Sequence, residues 1–276
     1  DSVRRQLVSD VPIATLLSGG LDSSIITAIA ATEMAKDGRT LSTYSFDYEG
    51  NSEHFKPTAF QPDSDTCWVP KMSEAFNTNH TYLSCPTSAL TALLKEATLA
   101  KDLPGMADVD FSLLAFCAQI KNHVKVALSG ECADEIFGGY PWFRDEKIRS
   151  AYGFPWAQTT QMRYGFISKD LAARMPFDPQ KEINDRYEKT LSEVHKAPGI
   201  SKQEGRLREM VRLNTDWFMQ TLLDRKDRMS MYQSLEVRVP FCDYRIAEYL
   251  YGVPWEYKDY RGKEKGLLRH AMEGVL

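Results

Sequence analysis

The chain has 276 residues, 43% of them hydrophobic and 26% charged, with a formal net charge of −4. That is the make-up of a soluble globular protein, long enough to bury an ample core in one large or two small domains, and the slight negative charge gives a nucleic-acid-binding role no global support. No apolar run approaches membrane-spanning length, and five cysteines without a Cys-x-x-Cys pair argue against a zinc site or a disulfide scaffold and fit a reducing, cytoplasmic setting.

Asp1 to Leu7 shows no signal-peptide pattern. The chain begins there abruptly and stops at Leu276 inside a helix-like run, so both ends read as cut from something longer. Pro12–Leu17 is an apolar run that predicts a buried strand. Ser18-Gly19-Gly20-Leu21-Asp22-Ser23-Ser24 follows it, and a helical pattern continues over Ser23–Lys36. Strand, Gly/Ser turn and helix together present backbone N–H groups and a positive dipole end to an anion. Gly19 and Gly20 let the backbone approach a phosphate closely, while Ser18, Ser23 and Ser24 add hydroxyl donors. A carboxylate in such a loop would repel phosphate unless a cation lies between them, so Asp22 points to Mg²⁺. There is no G-x-x-x-x-G-K-[ST] sequence, which disfavours γ-phosphoryl transfer.

Further strands are predicted at Leu41–Phe46, His80–Leu83 and Val124–Leu128. Helical patterns lie between them at Lys71–Asn77, Ser88–Ala100 and Ser112–Asn122. Glu49–Pro70 is polar, carries three prolines and reads as a long surface loop. Alternating strands and helices imply an α/β fold, a parallel twisted sheet with helices on both faces, whose ligands sit at the carboxyl ends of the strands near the switch in strand order. From about Phe143 onward the patterns are helical, at Glu182–Val194, Lys202–Leu223 and Tyr244–Leu250, and no further strand is evident. The expected organisation is a nucleotide-binding α/β part over residues 1–142 and a helical part over 143–276 that completes the crevice.

Val124–Leu128 runs into Ser129-Gly130-Glu131-Cys132-Ala133-Asp134-Glu135-Ile136-Phe137-Gly138-Gly139-Tyr140. Carboxylates here suit a helix N-terminus. Beside a phosphate loop, one of them also reads as a second Mg²⁺ ligand, and Asp134 is the choice. Tyr140, Trp142 and Phe143 read as core or crevice wall.

The first motif resembles the S-G-G-x-D-S loop of the N-type ATP pyrophosphatases, the PP-loop superfamily with its adenine nucleotide alpha hydrolase-like fold. The second, with the later Asp227-Arg228-Met229-Ser230-Met231 and Leu235-Glu236-Val237-Arg238-Val239-Pro240-Phe241-Cys242-Asp243, is similar to three ordered motifs of the asparagine synthetases. Those read S-G-E-x-[AS]-D-E-[ILV]-F-G-G-Y, then D-R-x-[ST]-M, then L-E-[VA]-R-V-P-F-L-D. The closing Arg261-Gly262-Lys263-Glu264-Lys265-Gly266-Leu267-Leu268-Arg269 resembles the family's G-K-x-x-L-R segment. These matches span nearly the whole chain and identify it as similar to the C-terminal synthetase domain of the glutamine-hydrolysing asparagine synthetases.

The resemblance implies amidation of aspartate. Its side-chain carboxylate attacks the α-phosphorus of MgATP to give β-aspartyl-AMP and pyrophosphate, and ammonia then releases asparagine and AMP. On this reading Ser18 to Ser24 clamp the pyrophosphate, and Asp22 and Asp134 hold Mg²⁺. Leu17 and Phe46 meet the adenine and ribose through backbone groups, Ser129 and Gly130 meet the α-phosphate, and Glu131 takes a proton or orients ammonia. Glu236 and Arg238 either shape the aspartate pocket or form a buried ion pair. The implied partners are ATP, aspartate, ammonia and a glutaminase domain of the intact protein, with no nucleic acid or membrane; a homodimer is compatible with the family. Asp1 is not the family's N-terminal cysteine nucleophile, so glutamine hydrolysis is not assigned to this chain.

Two departures stand out. The family's usual Gly is Cys132, which is expected in a helical conformation and without a catalytic role. The family's catalytic lysine lies in a basic segment beyond the last motif, and Lys263 and Lys265 are not given its part. A β-lactam synthetase is the nearest rival, separable by testing pyrophosphate exchange with aspartate against larger β-amino acids. A thiolating tRNA-modifying relative lacks support, since its cysteine pairs and basic face are missing. A domain that binds nucleotide without turnover is the third alternative.

Overall fold

The computed structural model of the chain describes residues 1–51, 55–56, 67–195 and 198–276. They form two compact units. One holds Asp1–Ala133, Gln220–Tyr249 and Leu268–Leu276, the other Asp134–Met219 and Leu250–Leu267. The two units interleave along the chain, whereas the expected cut between residues 142 and 143 is linear.

The first unit is built on a parallel sheet of five strands: β1 (Ile13–Leu16), β2 (Ser42–Tyr48), β3 (Asn79–Cys85), β4 (Val126–Leu128) and β5 (Glu236–Arg238). Their spatial order is β3-β2-β1-β4-β5. The chain steps outward from β1 through β2 to β3, then returns to the other side of β1 for β4. The strand order therefore reverses between β1 and β4, which pair directly with Ile13 opposite Val126 and Thr15 opposite Leu128.

All four residues of β1 are buried, as a strand covered on both faces must be. Ala14 and Leu16 point to a core shared with Tyr44, Phe116, Cys117, Ile120 and Ala127, supplied partly by the Ala107–Ile120 helix. Thr15 points the other way, and its hydroxyl meets that of Thr27 at 2.9 Å. Thr27 belongs to the Leu21–Lys36 helix. Helices thus cover both faces, as the sequence pattern predicts.

Four strands fall where the sequence places them; β5 does not, because the C-terminal half was read as having no strand. Glu236-Val237-Arg238 has three residues, two of them charged, and an edge strand needs only one apolar contact and a partner ladder. The predicted Ser88–Ala100 helix is two helices, Thr87–Ala92 and Leu94–Lys101, broken at Leu93. Residues 52–54 and 57–66 of the predicted Glu49–Pro70 loop lie outside the described residues. Its last residues are instead the first turn of the Trp68–Ala75 helix, where proline's missing N–H costs nothing. The predicted Lys202–Leu223 helix contains a wide turn at Asn214–Phe218 between regular helices Lys202–Leu213 and Met219–Tyr232.

The second unit is helical and aromatic. Trp142, Phe143, Leu207, Met210 and Val211 form its buried centre, flanked by Tyr140, Trp156, Phe218 and Trp255. Tyr140 stacks on Trp142 at 4.3 Å between ring centroids, so the aromatic trio read from sequence is core. No helix among the described residues is long and apolar enough to cross a membrane.

Candidate active site

Two loops leave the carboxyl ends of β1 and β4, at the reversal of strand order where open α/β sheets bind ligands. The first is folded by its own serines. Ser18 Oγ meets Ser23 Oγ at 3.0 Å, and Ser23 Oγ donates to the Gly20 carbonyl at 3.0 Å. The Gly20 N–H donates to Ser18 Oγ at 3.3 Å. Gly19 adopts φ +94°, open to glycine and strained for other residues. Gly20 caps the Leu21–Lys36 helix without a side-chain hydrogen bond. The first-turn N–H groups of that helix lack intrahelical acceptors, and Asp22 stands in that turn.

Leu17 is buried, and its N–H donates to the Tyr44 carbonyl at 2.8 Å, tying the loop to β2. The Phe46 ring packs against Phe116 at 5.2 Å in the core, which leaves backbone groups for any ligand contact.

The second loop lies against the first. A Cβ on Gly130 would meet Ser23 N at 2.8 Å and the Asp22 carbonyl carbon at 2.9 Å, so only glycine permits this approach. Ser129 N–H donates to the Arg238 carbonyl at 2.8 Å, extending the β4–β5 pairing into the loop. Glu131 Oε1 forms an ion pair with Lys226 Nζ at 2.7 Å. Lys226 lies on the Met219–Tyr232 helix and is 8% exposed. The other carboxylate oxygen, Glu131 Oε2, is buried without a hydrogen-bond partner. A buried acceptor in that state is rare in a folded protein and marks a position for a donor.

Cys132 departs from the sequence expectation. Its φ is +76°, left-handed rather than helical. The glycine that the resemblance implies at this position would adopt such a φ freely, whereas the Cβ here is strained. Cys132 is buried.

In the second unit Asp134 is ion-paired to the buried Lys265, 2.7 Å from Oδ1 to Nζ. A Cβ on Gly139 would overlap Asp134 Oδ1 and crowd the Lys265 side chain. Arg238 pairs with Glu236 at 2.7 Å and also donates to the Gln6 and Val8 carbonyls at 2.6 and 2.7 Å. The Glu236 side chain is 54% exposed, so this pair fastens the N-terminal segment to β5 at the surface.

The structure thus brings Ser18–Ser24, Gly130 and Glu131 to one place, and adds Lys226, which sequence reasoning missed. Its signal was available: Lys226 immediately precedes the Asp227–Met231 motif.

The asparagine synthase family model matches residues 1–276. The chain belongs to the asparagine synthase family. It is 52% identical over its whole length to asparagine synthetase [glutamine-hydrolyzing] 3 of Bacillus subtilis (strain 168), covering 44% of that protein. It is 30% identical to asparagine synthetase [glutamine-hydrolyzing] 1 of the same organism, covering 46% of it. It is also 24% identical to amidase chry2 of Gibberella zeae, covering 48% of that protein. The chain therefore spans slightly less than half the length of these curated relatives.

Proposed function

We propose that this asparagine synthase family chain is the synthetase half of a glutamine-hydrolysing ligase that amidates aspartate at the expense of ATP. The family match supports the reaction class. The observation that carries the assignment is the approach of Gly130 to the Ser23 backbone, which sets Glu131 beside the phosphate loop.

ATP would lie with its pyrophosphate on the Ser18–Ser24 loop and the first turn of the following helix. Leu17 and Phe46 would meet the adenosine through backbone groups, and Ser129 and Gly130 the α-phosphate. The donor set fits Mg²⁺ through Asp22, since this ion commonly takes one or two carboxylates together with substrate phosphates and water. When bound, it would neutralise the pyrophosphate leaving group. Asp134 already faces the Lys265 charge, so a metal role there would require displacing that lysine.

The aspartate side-chain carboxylate attacks the α-phosphorus, the bond to the bridging oxygen breaks, and pyrophosphate leaves. Ammonia, supplied by a glutaminase domain of the intact protein, then attacks the acyl carbon. Glu131 Oε2 orients it and accepts the proton it loses, and AMP departs with the former carboxylate oxygen. Lys226 holds Oε1 and so aims Oε2.

Glu131→Gln in the full protein separates the two steps. Aspartate-dependent exchange of pyrophosphate into ATP should persist, while asparagine formation falls about 10²–10⁴-fold, as loss of a positioned proton acceptor does. Equal loss of both activities would make Glu131 a substrate-binding or structural group.

A further inference from the structure

Asp110 stands near the start of the Ala107–Ile120 helix and is 2% exposed. Its Oδ1 is buried with no hydrogen-bond partner among the described residues. A carboxylate oxygen in that state has given up water without a replacement, which opposes folding. The Lys101 side chain passes close by, since a Cβ on Gly105 would crowd both Asp110 Oδ2 and Lys101 Cδ. The Lys101 amine is directed elsewhere, 3.6 Å from Asp224 Oδ2. No cluster of three or more candidate metal ligands occurs among the described residues. Oδ1 therefore suits a protonated amine, which needs only one charged acceptor, better than a metal ion.

The position of Asp110 points to the ligand. Its helix connects β3 to β4, so it runs back against the strand direction and starts at the carboxyl ends, where both loops leave the sheet. Phe111 packs there on the cluster of Leu90, Ala115 and Cys85, the last residue of β3. Leu114 and Met229 share another buried cluster. Asp110 is one helical turn before Leu114, and Lys226, which holds Glu131, is one turn before Met229. Both groups thus approach the same cluster within the first unit.

We propose that Asp110 Oδ1 receives the α-ammonium group of the aspartate substrate and so selects an amino acid over a plain dicarboxylate. This deepens the asparagine-synthetase reading and rests on it. The side-chain carboxylate of aspartate is the group that reacts, and the ammonium is what distinguishes aspartate from succinate. A hydrogen bond from ammonium to carboxylate is charge-assisted and among the stronger ones. A site built around such a bond discriminates sharply against the analogue that lacks the donor, because the buried acceptor is then left unpaired.

The test is aspartate-dependent exchange of pyrophosphate into ATP by the full protein and its Asp110→Asn variant, with succinate as the analogue without an amine. In the variant the KM for aspartate should rise on the order of 10- to 100-fold while the exchange kcat holds, the pattern of lost uniform binding. Exchange with succinate should be the same in both proteins. Equal losses for the two acids, or an unchanged KM for aspartate, overturn the proposal. So does a variant whose only defect is a raised KM for ammonia in asparagine formation, which would give the oxygen to free ammonium ion. Melting of the ligand-free proteins is read separately and does not depend on the reaction. Asp110→Asn should melt no lower than wild type, because it removes an unsatisfied buried carboxylate. A variant that fails to fold, or melts lower, assigns the carboxylate to the fold and also overturns the proposal. Wild-type protein without aspartate-dependent exchange refutes the functional reading, while the melting comparison still decides whether Asp110 is structural.

Discussion

Lys226 Nζ lies 2.7 Å from Glu131 Oε1, joining the Met219–Tyr232 helix to the loop after β4. The pair is largely removed from water, with the lysine side chain 10% and the glutamate side chain 21% exposed. Removing one partner from such a pair costs more than the pair itself contributes, because the other charge is left in a poorly solvated place.

Lys226→Met is therefore expected to destabilise the protein by about 1–3 kcal/mol, less than the roughly 3–5 kcal/mol of a fully buried broken pair because Glu131 keeps some solvent. Adding Glu131→Gln should recover part of that loss. Urea denaturation of both single variants and the double variant checks this; strictly additive effects would mean that the two groups do not interact.

Gly130→Ala tests the apposition of the two loops. A Cβ at 2.8 Å from Ser23 N meets backbone, which cannot swing aside like the end of a side chain. Overpacking of this kind costs about 1–3 kcal/mol, and displacement of the phosphate loop should weaken ATP binding at least tenfold. Calorimetry with ATP reads the second effect. Wild-type affinity in a folded Gly130→Ala protein would separate the two loops functionally.

Asp22→Ala should remove the magnesium dependence of nucleotide binding while leaving the fold intact. Its structural contribution is a carboxylate in the first turn of a helix, worth about 0.3–1 kcal/mol. Titration of ATP with and without Mg²⁺ makes the comparison; an unchanged enhancement by Mg²⁺ in the variant would move the metal elsewhere.

Lys258 gives a pH-dependent prediction in the second unit. Burial, opposed by Glu204 and aided by Arg208, lowers its amine to about 8. An unfolded lysine titrates near 10.4. Below about pH 8 both states hold the proton and the cost of the buried charge is fully present. Between these values the unfolded chain holds more protons than the folded one, so this residue's contribution to stability rises with pH. Lys258→Met should accordingly be more stable than wild type at pH 7, by roughly 1–3 kcal/mol, and the gap should narrow by pH 10. Denaturant midpoints of both proteins at the two pH values supply the measurement.

The sequence alone was enough for the α/β class, four of the five strands, and the Ser18–Ser24 and Ser129–Glu131 loops. These are local signals. A strand buried on both faces must be continuously apolar, and both loops stand out by their glycines and hydroxyls. Strand order was not legible, because a three-residue edge such as Glu236–Arg238 carries too little pattern to be seen before its partner is known. Lys226 stood beside the Asp227–Met231 motif in the sequence, but its partner was not legible there. It reaches Glu131 only once the Met219–Tyr232 helix comes back from far along the chain. Cys132 is the clearest division. The family resemblance implied a glycine where this chain has Cys132, but the conformation there depended on where the β4 loop had to turn, and only the packed structure placed it at φ +76°.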